Sequence, residues 1–252
     1  MSLDDLLPCR AVRGLRSLGV WIVIVLATIF FGVPAIPIGL APPRGRWLFH
    51  WARGWSRILL VAAGARVRVL HPERLDPSRE FVVTPNHESF FDIPVLFSTL
   101  PRAVAFLAKR NLFRLPFMGW AMAAAGFVPV DRGEKGRMLA TIDASLRRLE
   151  RGTWLIVFPE ETRTRTGELL PFKAGAALLA IRSGRPLLPV AIAGTFRIQK
   201  RGGFTISPSR VVVAVGEPID VSGKTAADRA EITARVRDAV AGLREEARGA
   251  LT

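Results

Sequence analysis

The hydrophobic positions of this chain fall into two regimes. Leu18–Val33 is an unbroken, uncharged apolar run of 16 residues. Crossing a bilayer at right angles takes about 20. Pro34 and Pro37 follow at once, so the pattern predicts a short span or a re-entrant helix that stops near the prolines. Arg10, Arg13 and Arg16 precede the run and assign that flank to the cytoplasm. A cleaved signal peptide fits poorly, because Asp4 and Asp5 dilute the basic lead and the prolines crowd a cleavage site. Between Arg44 and Arg68 there are six arginines and no acid. Trp47, Trp51 and Trp55 recur every four residues and form one helical stripe, with Arg46, Arg53 and Arg57 on another side. Tryptophan beside arginine suits the lipid headgroup layer. Packing of the same rings on the preceding helix is the plainer alternative. The two segments read as a helical hairpin that anchors the chain to a membrane, with residues 1–62 as the anchor and 63–252 as the body.

After Gly64 the period changes. Short runs of strand type (66–70, 81–84, 103–107, 127–130, 154–158, 187–193 and 211–215) alternate with helical stripes (93–100, 117–125, 138–149, 174–182 and 232–243). Such alternation predicts a single α/β domain, with a mixed, mostly parallel sheet flanked by helices.

Charge and composition narrow the partners. Thirty-six basic against 21 acidic residues give +15, so an acidic partner is expected: nucleic acid, an anionic membrane or a phosphorylated substrate. The mean hydropathy of +0.28 favours the membrane. The basic residues are spread along the chain and match no nucleic-acid-binding module. One cysteine, Cys9, excludes an internal disulfide and a cysteine-based metal site, and the three histidines do not cluster, so no metal is expected. His50 and His71 read as structural or solvated.

His87 differs. It lies in Thr84-Pro85-Asn86-His87-Glu88-Ser89-Phe90-Phe91-Asp92. Pro85 ends the preceding strand, so the imidazole falls at a strand's carboxyl end, where α/β domains place their sites. With a helix starting near Ser89, Asp92 would point back from the first turn and accept the Nδ1 hydrogen of His87. That leaves Nε2 free as a base. Asn86 either orients this loop or donates to a developing oxyanion. A lipase built on Ser89 and His87 is the hydrolase alternative, strained because the two are almost adjacent.

Four blocks in order carry a resemblance. They are Asn86-His87-x4-Asp92; Lys109-Arg110-Asn111-Leu112-Phe113-Arg114-Leu115-Pro116-Phe117-Met118-Gly119 with Gly126-Phe127-Val128-Pro129-Val130-Asp131-Arg132; Phe158-Pro159-Glu160-Glu161-Thr162-Arg163; and Leu188-Pro189-Val190-Ala191-Ile192-Ala193-Gly194. In this order the chain resembles the bacterial glycerolipid acyltransferases, most of all those that acylate 1-acylglycerol 3-phosphate (lysophosphatidic acid). The resemblance implies a membrane-associated O-acyltransferase of phospholipid synthesis at the cytoplasmic face of the inner membrane. Its donor would be acyl-CoA or acyl-carrier protein, a substrate rather than a bound cofactor, and its acceptor a lysophospholipid. By the same resemblance His87 is the general base and Asp92 its orienting carboxylate. Lys109 and Arg163 hold the acceptor phosphate and Glu160 fixes its glycerol end, with Asn86, Arg110, Arg132 and Thr162 as supporting positions. Glu161 departs from the family, which usually has glycine there. Either its side chain points outward, or the acceptor is less anionic, such as a lyso-ornithine lipid.

Overall fold

A computed structural model describes residues 10–40, 44–130 and 135–251 of this chain. Helix α1 (Arg10–Leu40) and helix α2 (Arg44–Ala63) form a hairpin ahead of β1 (Ala65–Leu70). Then follow β2 (Val82–Pro85), α3 (Asp92–Thr99), β3 (Val104–Lys109), α4 (Met118–Ala124), β4 (Val128–Val130), α5 (Lys135–Glu150), β5 (Trp154–Ile156), α6 (Gly175–Ser183), β6 (Leu187–Ala193), α7 (Thr195–Ile198), β7 (Ser209–Val215) and α8 (Arg229–Gly249). The seven strands lie in the order β1-β7-β6-β2-β5-β3-β4. The five from β6 to β4 are parallel, while β7 runs antiparallel to β6 and parallel to β1. The sheet is therefore mixed and mostly parallel, as the alternation predicts.

An interior strand, β6, is seven apolar residues without a break, all buried, as a strand covered on both faces requires. One face packs under α1, α2 and α3, the other under α5, α6 and α8. Register fixes a common edge: Val83 of β2 is level with Ile156 of β5, which is level with Phe106 of β3. The residues that follow each strand therefore emerge together at the carboxyl edge.

The hairpin departs from its sequence reading in three ways. α1 runs through Pro34 and Pro37 instead of stopping before them. Each proline removes only one hydrogen bond, and tertiary contacts hold the turn: Phe31 packs on Trp51 with ring centroids 4.8 Å apart, and Trp51 Nε1 donates to the Phe31 carbonyl (2.8 Å). Gly54 admits this close crossing, since a Cβ there would lie 3.0 Å from the Phe31 ring. The 28 residues Ala11–Ile38 are long and apolar enough to cross a membrane by length and composition, with a mean hydropathy of 2.4 over their most apolar 18-residue stretch.

Second, the tryptophan stripe is mostly internal. Trp55 Nε1 donates to Thr28 Oγ1 (3.2 Å), so Trp51 and Trp55 both face α1, and only Trp47 is largely exposed. Arg53 likewise turns inward, donating to the Ser98 carbonyl (3.0 Å) and covering the Phe49 ring. The side chain of Arg46 lies outside the described residues. Third, the hairpin is not a separate unit. Val20, Ile24, Ala27, Phe49, Leu59, Leu60 and Ala63 belong to the same core as Val83, Phe106, Ile156, Ile192 and Val213 of the sheet. Arg16 adds bonds to the carbonyls of Ala63 (2.8 Å) and Ile206 (2.6 Å).

Candidate active site

The loop 86–91 joins β2 to α3. The helix begins at Asp92, three residues later than the sequence reading places it, so Asp92 still lies in the first turn and reaches back. Its Oδ2 accepts the backbone N–H of Glu88 (2.7 Å) and of Ser89 (2.9 Å), and it also meets His87 Nδ1 at 2.7 Å. Its Oδ1 accepts the hydroxyl of Thr195 (2.6 Å), at the start of α7. A fully buried carboxylate held by four donors has one orientation left to it. Since an ionised carboxylate only accepts, the hydrogen on His87 is on Nδ1, and Nε2 carries the free lone pair. The imidazole is 15 % exposed and lies flat on the Phe158 ring, with centroids 3.9 Å apart. It is thus fixed in rotation and tautomer, with one edge open.

The side chains of Asn86 and Ser89 in this loop are held by backbone. Asn86 Nδ2 donates to the Ile192 carbonyl (2.9 Å), and its Oδ1 accepts from Ile192 N–H (2.7 Å). That two-point clamp on β6 engages both ends of the amide, so Asn86 orients the loop. Ser89 Oγ is buried and donates to the Gln199 carbonyl (2.8 Å). A hydroxyl so engaged is no nucleophile for His87, which removes the Ser89 hydrolase reading.

Glu160 also departs from expectation. It is buried, one oxygen accepting His87 N–H (2.7 Å) and the other Leu170 N–H (2.8 Å). With both oxygens committed to the main chain, it ties the 158–170 loop to the histidine rather than gripping a ligand. The Thr164 N–H closes the same junction by donating to the His87 carbonyl (3.0 Å). The Glu160 carboxyl is raised to about 7, chiefly by burial and also by the charge on Asp92, against the two backbone donors and Arg244, which lower it.

The cations sit where the strand edge predicts. Lys109 ends β3, exposed, with exposed Arg110 beyond it, and β4 pairs Val130 with Lys109. Arg132, two residues past β4, lies outside the described residues. Thr162 and Arg163 are half-buried. Burial lowers the Arg163 guanidinium from its ordinary range; Asp92 pulls it back up and Arg201 pushes it down. Arg163 is therefore within electrostatic reach of the His87–Asp92 pair. Glu161 takes φ 58°, the left-handed region that a glycine occupies freely, and its side chain is exposed. The outward alternative holds, and the argument for a less anionic acceptor falls away. Among the described residues no three His, Cys, Asp or Glu side chains gather as a metal site.

Two features escape sequence reasoning. Thr195 completes the support of Asp92 from 103 residues away, signalled only by its place after the Leu188–Gly194 block. Arg244 of α8 is buried against Glu88, next to the histidine, with its Nε 3.2 Å from Oε1, and also donates to the Gly167 carbonyl. An amphipathic stripe on α8 predicts burial of its apolar positions but gives no sign that an arginine joins them.

Comparison with known proteins agrees with this arrangement. The profile of the family described as Acyltransferase matches residues 66–193. A 1-acyl-sn-glycerol-3-phosphate acyltransferase of Saccharomyces cerevisiae is 31% identical over 198 residues, 76% of this chain and 64% of that protein. A mouse (Mus musculus) 1-acyl-sn-glycerol-3-phosphate acyltransferase alpha is 32% identical over 83% of this chain and 74% of its own length. The match spans only 40% of a chloroplastic relative from Brassica napus. The crystal structure of the 1-acyl-sn-glycerophosphate acyltransferase PlsC from Thermotoga maritima superposes with a TM-score of 0.80 at 26% identity, covering 93% of this chain and 96% of that one.

Proposed function

This chain belongs to the acyltransferase family, and from that premise we propose that it moves a fatty acyl group from a thioester to the free hydroxyl of 1-acylglycerol 3-phosphate, giving phosphatidic acid. The donor is acyl-CoA or acyl-carrier protein. The observation that carries this reading is the His87–Asp92 contact of 2.7 Å at an open sheet edge, with the aspartate buried and fully bonded. His87 Nε2 takes the proton from the acceptor hydroxyl as its oxygen bonds to the thioester carbonyl carbon. The tetrahedral oxyanion collapses, the C–S bond breaks, and the thiolate leaves with the proton from the imidazolium. Asp92 stabilises that imidazolium without being protonated itself. Lys109 and Arg163 receive the phosphate of the acceptor, where an arginine fork binds oxygens in pairs. The exposed apolar face of α1, carrying Leu18, Ile22, Val25, Leu26, Ile29 and Phe30, lies in the lipid from which both acyl chains come. The site then works at the cytoplasmic face of the cell membrane.

The test is acyl transfer from labelled acyl-CoA to lysophosphatidic acid by the purified full chain in detergent. His87→Ala is expected to lower kcat by about 10²–10⁴-fold at a nearly unchanged melting temperature. Asp92→Asn is expected to lower kcat comparably together with the melting temperature, because its NH2 group faces donors that the carboxylate accepted from. A His87→Ala protein that retains full turnover refutes the assignment.

A further inference from the structure

Arg201 is the tip of a tight turn. Gly203 N–H donates to the Lys200 carbonyl (2.9 Å), and Gly202 takes φ 75°, the geometry of a type II turn with Arg201 at its second position. The turn is anchored at its root. The Gln199 carbonyl accepts Ser89 Oγ (2.8 Å), and Gln199 Nε2 returns to the Gly203 carbonyl (2.8 Å). The same peptide that carries Arg201 is thus bonded to the loop that carries His87. From there Arg201 Nη1 reaches the Arg163 carbonyl (3.0 Å). This bond holds the two arginines together although their charges repel, and Arg201 is one of the groups that depress the basicity of Arg163.

Among the described residues neither guanidinium is in an ion pair. The acid that acts on Arg163 is Asp92, and all of its bonding capacity is taken by His87, Glu88, Ser89 and Thr195. Lys200, beside Arg201, is turned away onto the Phe196 ring. Arg163 is half-buried and Arg201 exposed, so two cations on separately anchored loops, close to each other and lacking a carboxylate between them, present an open pair of donors to an anion. A phosphate monoester dianion has the charge for both and enough oxygens for two forks.

We propose that Arg201 is a binding residue of this site, closing a two-arginine cradle with Arg163 around the phosphate monoester of the acyl acceptor. The proposal rests on the acyltransferase reading but is tested apart from turnover. The same chemistry exists in the donor, because CoA also carries a phosphate monoester, so the two sources must be separated.

The experiment measures binding of glycerol 3-phosphate and of 3′,5′-ADP (the nucleotide end of CoA) to the full chain in detergent by titration calorimetry. It also measures the KM of each substrate in acyl transfer. Arg201→Ala is expected to weaken glycerol 3-phosphate and raise the lysophosphatidic acid KM by about tenfold or more, leaving 3′,5′-ADP and the acyl-CoA KM in place. Arg201→Gln removes the charge, and its amide falls short of the Arg163 carbonyl, so it behaves like Arg201→Ala. Salt dependence separates binding from scaffolding: a charged cradle makes wild-type affinity for glycerol 3-phosphate fall with added salt more steeply than that of the variant, whereas a purely structural strap leaves the two slopes equal. Arg201→Lys restores part of the affinity. Arg229→Ala, on the far end of α8, controls for net charge. Wild-type binding by Arg201→Gln, an effect confined to the donor, an effect matched by Arg229→Ala, or no binding of glycerol 3-phosphate to the wild type each overturns the proposal. An inactive wild type that still binds glycerol 3-phosphate through Arg201 would instead sink the acyltransferase reading and keep the cradle.

Discussion

At the scale of single residues, the site is a problem in satisfying one buried carboxylate. Asp92 has four donors, and Thr195 is the only side-chain hydroxyl among them. Thr195→Val keeps the shape and removes that bond. It leaves Oδ1 buried without its partner, a cost of about 1–3 kcal/mol. The expected outcome is a melting temperature lowered accordingly and a reduced kcat with an unchanged acceptor KM, read from the same acyl-transfer assay. Glu161 supplies the opposite case. Its backbone already sits where glycine is at ease, and its side chain is exposed. Glu161→Gly should leave turnover with lysophosphatidic acid intact, and a large loss would mean that the carboxylate takes part in the site. His87, Asp92 and the left-handed demand at position 161 were all legible from the sequence. The histidine and aspartate are marked by their place in the first of the four ordered blocks, since their spacing alone is common by chance, and the glutamate stands out where the family usually has glycine. Loop orientation by Asn86 was one of two readings open from the sequence, but neither its partner nor the work of Glu160 was legible. Both are polar residues beside a reactive group, and the sequence holds no sign that their partners are the backbone of Ile192, His87 and Leu170.

Among elements, the telling contact is α8 against the histidine loop. Arg244 and Glu88 form an ion pair with both side chains almost wholly buried, and Arg244 also holds the 158–170 loop through Gly167. Arg244→Met leaves a buried glutamate unpaired and is expected to cost about 3–5 kcal/mol, measured by thermal unfolding. Pairing it with Glu88→Leu should recover much of that, because the pair's desolvation is removed as well. The pH dependence follows from Glu88 itself. Burial, aided by the charge of Asp92, outweighs Arg244 and lifts its pKa from 4.5 to about 7. The folded state therefore binds this proton more tightly than the unfolded chain does. The stabilisation is complete below about pH 4.5, declines up to about pH 7 and is constant above. Glu88→Gln lacks the term, so its stability relative to wild type should rise across that window by on the order of 3 kcal/mol. Parallel curves for the two proteins would show that Glu88 does not titrate there. Strands and helices themselves were readable from periodicity, β6 to the residue. The course of α1 through two prolines was not, because the contacts that carry it come from α2.

For the whole molecule, the question is what the N-terminal helices are for. Read from sequence, residues 1–62 are a detachable anchor, and removing residues 1–60 should free a soluble body. The structure reverses that expectation. The inner stripe of α1 and α2 is one side of the sheet's own core, from Val20 and Ile24 through Leu59 and Leu60 to Val83 and Ile192. A row of aromatic contacts continues it from Phe49 through Phe97 and Phe106 to Phe158, on which the His87 imidazole lies. Deletion would strip this face and expose the strands, so the shortened chain is expected to aggregate rather than dissolve. On the proposed function, membrane attachment falls to the outer stripe alone. Ile22, Leu26 and Ile29 are spaced for one face of α1 and are exposed there, and α4, packed on the same helix, adds exposed Trp120. Replacing Ile22, Leu26 and Ile29 with glutamine removes apolar area from the lipid side and none from the core. The triple variant should shift from the sedimented membrane to the supernatant while its melting temperature in detergent stays near that of the wild type. A variant that remains on membranes would move attachment to the basic residues, and one that unfolds would mean that the outer stripe is covered by protein. On this reading folding and docking use opposite faces of one helix, and the aromatic row sets the histidine a few rings from the lipid-facing side.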